Sequence, residues 1–251
     1  MHLTLASASY AEDSGYLAMQ DLAGLAQRLD IDYRLVGGHM VSLLVAASGV
    51  AGVPGRDTGD ADFGVPSAVA RDPRLLSELQ RMGYSQTSGN RCERPAGELT
   101  LTIDVLAPSY TGRIETNRAH GDLVLDEIPG LNFALTEPGL HLALTVRLTS
   151  GSQLDAEITV PSYLSALCLK ALAFASRSAG KDAFDVWRLL EAAHTVGLSG
   201  EQWPDSVTPN TAVATLRRDF GRAGGHGLAA RPERAQVRTR VRALVAAACG
   251  P

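Results

Sequence analysis

At 251 residues the chain can form one large domain or two modest ones, and either arrangement can bury a core. Its 45% hydrophobic and 20% charged content is that of an ordinary globular protein, and a formal net charge of −4 argues against a dedicated nucleic-acid binder. The charge is unevenly spread: residues 217–242 hold eight arginines against Asp219 and Glu233, so the rest of the chain is acidic. Cys92, Cys168 and Cys249 lie far apart with no metal-like spacing and read as reduced thiols of a cytoplasmic protein. The first residues carry no basic or long apolar run, so no secretory signal is expected. Residues 35–53 are almost wholly apolar and long enough to span a bilayer. They contain four glycines with His39, Ser42 and Ser48, which favours a buried strand, turn and helix and no membrane partner.

Residues 16–29 have helical spacing, and 33–36 form a short strand stopped by Gly37-Gly38. Met40, Leu43, Leu44 and Ala47 then recur at the i, i+3, i+4, i+7 positions of a buried helix face. Residues 49–59, with four glycines and a proline, predict a flexible loop, and 61–65 a strand. A helix is expected over 73–82, ended by Gly83. From 84 to 158 the pattern is of strands, clearest at 99–106, where Leu99, Leu101, Ile103 and Val105 share one face and Thr100, Thr102 and Asp104 the other. Beyond Pro161, which suits a first helical turn, Leu164, Leu167, Cys168, Ala171, Leu172 and Ala175 form an apolar stripe. Further helices are expected over 182–194, 211–222 and 232–248. The expected fold is therefore α/β in the α+β sense: a mixed-sheet core over 1–160, then an α-helical domain over 161–251.

The chemistry concentrates in Arg56-Asp57-Thr58-Gly59-Asp60-Ala61-Asp62. Asp60 and Asp62, two apart on a strand, point the same way and can share a cation. Asp104 from a later strand would complete an oxygen-only site suited to Mg²⁺ against substrate phosphates. A helix starting after Gly37-Gly38 aims unpaired N–H groups at a phosphate, with Ser42 offering a hydroxyl. The chain has only two lysines, Lys170 and Lys181, against 21 arginines, and both fall in one short segment. A compact ammonium suits a triphosphate. On a helical wheel Lys170 lies beside Tyr163, Phe174 and Arg177, off the apolar stripe. Asp182 and Asp185 tend toward the buried face. Asp182 can be an N-terminal dipole partner, whereas Asp185, a turn further in, needs a cation to be tolerated. The six histidines show no zinc spacing, and there is no P-loop, Gly-x-Ser-x-Gly or dinucleotide fingerprint.

Strand, Gly37-Gly38, helix, Arg56-x-Thr58-x-Asp60-x-Asp62 and then Asp104 resembles the nucleotidyltransferase superfamily. The Arg-x-Thr-x-Asp-x-Asp form, with the lysine helix and Lys181-Asp182-x-x-Asp185, resembles its AbiEii/AbiGii-type toxins of type IV toxin–antitoxin pairs. The motifs span roughly residues 33–106 and 161–190. The loop from Gly38 to Asp60 is longer than in compact members, and His39 stands where serine is common. The resemblance implies an NTP substrate and two Mg²⁺ ions on Asp60, Asp62 and Asp104. It makes Lys170 a catalytic cation and Gly37, Gly38, Ser42, Arg56, Thr58, Lys181, Asp182 and Asp185 nucleotide-binding candidates. It also implies an acceptor that is tRNA or another RNA, and a cognate antitoxin protein. Arg231, Arg234, Arg238 and Arg242, within a turn of one another, would hold the RNA backbone; a solvated face, or docking on the acidic half of this chain, is the alternative. Other acceptors are a small molecule such as an aminoglycoside, or a protein hydroxyl. A non-catalytic nucleotide-binding module is the reading from a different class.

Overall fold

The computed structural model describes residues 1–229 and 235–250. Arg231, Arg234 and the start of the helix expected over 232–248 lie outside the described residues. The chain begins β1 (His2–Ala6), α1 (Tyr10–Leu29), β2 (Arg34–Val36), α2 (Gly37–Ser48), β3 (Asp60–Gly64), α3 (Ser67–Ala70) and α4 (Pro73–Arg81). The strand-rich stretch follows: β4 (Ser85–Ser88), β5 (Arg91–Ala96), β6 (Leu99–Ser109), β7 (Glu115–His120), β8 (Leu123–Pro129), α5 (Leu131–Thr136), β9 (Leu140–Arg147) and β10 (Gln153–Val160). After β10 the described chain is helical: α6 (Tyr163–Arg177), α7 (Gly180–Thr195), α8 (Val207–Thr215), α9 (His226–Ala229) and α10 (Ala235–Cys249). The fold is mixed α/β with a helical C-terminal half.

Two sheets form. β1 runs parallel to β9, which pairs antiparallel with β10. The larger sheet has the order β2-β3-β6-β5-β4, and the far end of β6 pairs with β8, itself paired with β7. Ala61, Phe63, Leu101, Ile103 and Val105 are essentially inaccessible to solvent, and α1 lies against β3, β6 and β10. The alternate face of β6 is also enclosed, because Thr102 and Asp104 are buried. That face is covered by functional groups. α2 packs against α7, and α5 links β6 to α6, so the helical half closes over the polar end of the sheet.

Several boundaries moved for local reasons. α1 starts six residues before the expected position 16. Ser9 Oγ accepts the Glu12 N–H at 3.2 Å, and Glu12 Oε2 accepts the Ala8 N–H at 2.8 Å. Capping rather than an apolar stripe holds that first turn. In α6 the cap is Ser162, accepting from Ser165 N at 3.2 Å, so Pro161 precedes the helix. The strand-like stretch of 84–158 is interrupted by α5, entered through Gly130 at φ 84°. The helix expected over 211–222 is α8 followed by a π-helical turn, Leu216–Phe220. β1 is an edge strand too short to read from sequence, and the Met1 ammonium just before it donates to His141 O at 3.1 Å. Among the described residues no helix is long and apolar enough to cross a membrane.

Candidate active site

β3 and β6 are parallel neighbours whose register sets Asp60 opposite Thr102 and Asp62 opposite Asp104. Residues two apart on a strand, and register partners on adjacent strands, share a face. Asp60, Asp62 and Asp104 therefore point together into a cleft of about 300 Å³. Its walls are Gly37 and Gly38 at the start of α2, Arg56 from the loop, Arg91 at the start of β5, Lys170 and Arg177 from α6, and Lys181 from α7. A wider groove of about 1040 Å³ runs between α1 and the three-stranded sheet. No lysine or arginine among the described residues lines it, so volume alone does not mark the chemical site.

The glycine pair is required by close approach. Gly37 has φ +71°, and a Cβ there would fall inside the Asp62 carboxylate. A Cβ on Gly38 would lie 2.5 Å from Arg56 Nη2 and 2.5 Å from Thr58 Oγ1. The glycines thus let Asp62 and the Arg56–Thr58 segment close onto the first turn of α2, whose leading N–H groups have no helical partner.

Burial, then the neighbouring Asp60 and Asp104 charges, push the Asp62 carboxyl up to about 7, against the smaller pull of Lys170 and Lys181. This is an unmet demand for positive charge. Asp185, fully buried, meets the same demand with cations. Lys170 Nζ donates to its Oδ2 at 2.8 Å, Arg56 Nη2 to Oδ2 at 3.2 Å and Arg56 Nε to Oδ1 at 3.4 Å. Arg188 Nη1 stands 3.7 Å from Oδ1. Asp182, also fully buried, takes a two-pronged bond from Arg177, Nε to Oδ2 at 2.6 Å and Nη2 to Oδ1 at 2.8 Å. Burial raises its pKa, but Arg177, Lys170 and Lys181 together outweigh burial and leave it lowered. Both carboxylates sit beneath the cleft and hold its cations in place.

The other candidates are placed as follows. Lys170 is itself buried, reaching the cleft from α6. Lys181 is exposed at the rim and has no ion pair among the described residues. Ser42 lies off the cleft, its hydroxyl accepting from Arg188 Nη2 at 3.1 Å. Thr58 is buried against Gly38, and its Oγ1 has no hydrogen-bond partner among the described residues. His39 packs against Tyr16 with ring centroids 5.5 Å apart. Burial drives its pKa down to about 4, so it is a neutral core side chain.

Arg91 and Arg188 escaped the sequence reading, and Arg177, seen beside Lys170 on the helical wheel, was assigned no role. Arg91 Nε and Nη2 each lie 3.2 Å from an oxygen of Asp104, and Nη2 is 3.6 Å from Asp60 Oδ2. A signal for it existed. β5 and β6 form a hairpin around Gly97-Glu98, and counting back from Ala96 opposite Leu99 sets Arg91 opposite Asp104.

The three carboxylates fit magnesium in donor type and in sharing one face. Among the described residues no group of three or more His, Cys, Asp or Glu is drawn together around a metal position. Arg91 stands between two of them.

No family model matches the chain, and no curated protein matches it in sequence. Among solved structures it is similar to an antigenic nucleotidyltransferase-like protein from Paracoccidioides brasiliensis, at 18% identity over 97% of this chain and 94% of the other, with a TM-score of 0.47.

Proposed function

We propose that this chain is a nucleotidyltransferase, moving a nucleoside monophosphate from an NTP to an acceptor hydroxyl with release of pyrophosphate. The observation that carries this reading is the register of β3 on β6, which sets Asp62 beside Asp104 with Asp60 on the same face, across a cleft from Lys170, Arg56 and Lys181. Carboxylates on one side and fixed cations on the other match a magnesium–triphosphate substrate. Magnesium held by Asp60 and Asp62, with a second ion shared by Asp104, would supply Lewis-acid polarisation of the phosphate oxygens.

The chain's own groups do the rest. The acceptor oxygen forms a bond to the α-phosphorus, the α–β anhydride bond breaks, and the electron pair leaves with pyrophosphate. Asp104 takes the acceptor proton. Lys170, oriented by Asp185, offsets charge on the phosphates, with Arg56 held by the same carboxylate. The first turn of α2 directs its free N–H groups to a phosphate oxygen.

RNA, with tRNA first, is the acceptor we assign, and the chain acts as a toxin restrained by an antitoxin. Support for an anionic acceptor comes from the C-terminal arginines. Arg240 is tied to Glu191 and Arg218 to Asp219, whereas Arg222 and Arg238 have no ion pair among the described residues.

The test is incubation with each α-³²P-labelled NTP, Mg²⁺ and total tRNA, beside an Asp60→Ala/Asp62→Ala control. Label on tRNA that disappears in the control is expected. Label on protein or on an aminoglycoside would replace the acceptor. No transfer to any of them would overturn the enzymatic reading. Growth arrest on expression, lost in Asp60→Ala, is the expected sign of the toxin role.

A further inference from the structure

Arg91 differs from every other cation of the cleft. Arg56 and Lys170 are anchored on Asp185, and Arg177 on Asp182, all carboxylates beneath the cleft floor. Lys181 lies exposed at the rim with no ion pair among the described residues. Among the described residues Arg91 alone lands on the carboxylates assigned to the metal, with its fork on Asp104 and one nitrogen 3.6 Å from Asp60. The fork uses one lone pair on each Asp104 oxygen, and its charge repels a divalent ion approaching those carboxylates.

The contact is also built to be released. The Arg91 side chain is 42% exposed, whereas that of Asp104 is 11% exposed, so the arginine approaches from the open mouth. Both Arg91–Asp104 hydrogen bonds are 3.2 Å, longer than the 2.6 Å and 2.8 Å bonds that fix Arg177 on Asp182. A long, partly solvated side chain on long bonds exchanges partners readily. The guanidinium fork matches phosphate as well as carboxylate, and an entering triphosphate passes the mouth where Arg91 stands.

We propose that Arg91 is a displaceable counter-cation that couples metal binding to nucleotide binding. Before substrate enters it neutralises Asp60 and Asp104; on entry it transfers to the triphosphate and frees both carboxylates for the ion. The inference rests on the nucleotidyltransferase reading. It makes the chain a poor binder of divalent ions alone, and it makes nucleotide and metal bind with positive cooperativity.

The test measures two affinities on the full chain and on Arg91→Gln: Mn²⁺ alone, by electron paramagnetic resonance titration, and inorganic tripolyphosphate in EDTA, by calorimetry. The two should move in opposite directions. Arg91→Gln is expected to bind Mn²⁺ on the order of tenfold more tightly and tripolyphosphate on the order of tenfold more weakly. Arg91→Lys, which keeps the charge without the fork, should fall between on both. A merely structural arginine would lower both affinities or change neither, and circular dichroism establishes that the variants are folded. Mn²⁺ affinity that is unchanged or lower in folded Arg91→Gln overturns the inference, as does unchanged tripolyphosphate affinity; in both cases the functional reading stands. Failure of native and variant chains alike to bind either probe overturns the functional reading together with this one.

Discussion

Replacing Asp62 by asparagine should stabilise the protein, by an amount that grows as pH rises from about 4 to about 7. Its carboxyl is pushed up to about 7 in the folded chain against an ordinary 3.8, because it is half-buried at the cleft floor and flanked by Asp60 and Asp104. The unfolded chain releases this proton near 3.8, while the folded chain keeps it until about 7. Between those values the folded state binds more protons, so this group's contribution to stability falls as pH rises from about 4 to about 7 and then levels off. The gap corresponds to about 4 kcal/mol at about 1.4 kcal/mol per pH unit. Solvent in the cleft softens that to about 2–4 kcal/mol. Asp62→Asn keeps the shape and removes the ionisation. In EDTA at pH 8 its melting temperature should exceed the native value by about 5–10 °C, since about 1 kcal/mol moves a chain of this size by about 2–4 °C. At pH 3.5, where the Asp62 carboxyl is largely protonated in the folded and unfolded chains alike, the two should melt together, with part of the gain already present at pH 5. Mg²⁺ added together with tripolyphosphate at pH 8 should raise the native melting temperature more than the variant's. An equal gain at pH 8 and at pH 3.5, or a loss at pH 8, would refute the reasoning by showing that the effect comes from packing.

Gly37→Ala should injure activity more than stability. The left-handed backbone costs about 1–2 kcal/mol, whereas displacement of Asp62 by the new methyl should lower kcat/KM by about 100-fold; an active variant would show that Asp62 does not depend on that contact. Asp185→Asn removes the carboxylate shared by Lys170, Arg56 and Arg188. Urea unfolding should report a loss of about 3–5 kcal/mol. Adding Lys170→Met should restore part of it, because one buried charge is then no longer unpaired; strict additivity of the two changes would sink the coupling.

What the sequence determined by itself is what local period governs. The two-residue repeat of a strand puts Asp60 and Asp62 on one side, and the helical repeat turns Asp182 and Asp185 inward beside Val186 and Leu189. The order of strand, glycine pair, helix and acidic strand carried the resemblance to nucleotidyltransferases. What escaped local period was decided by tertiary structure. The parallel register of β3 on β6, which sets Asp62 against Asp104, arises when two distant segments are packed under α1, and no turn links them. Arg56 meets Asp185 across 129 residues, and Ser42 turns to Arg188 across 146, through the docking of α2 on α7. Side-chain type predicts that a buried carboxylate has a cation; it does not say which one, because that depends on how the helices pack. Arg91 lies between these cases, since a tight hairpin turn fixes strand register locally and its place opposite Asp104 follows from the count around Gly97-Glu98. Only the assembled cleft decided that Arg91 would bridge Asp104 and Asp60, because Asp60 arrives on a strand that no hairpin joins to β6.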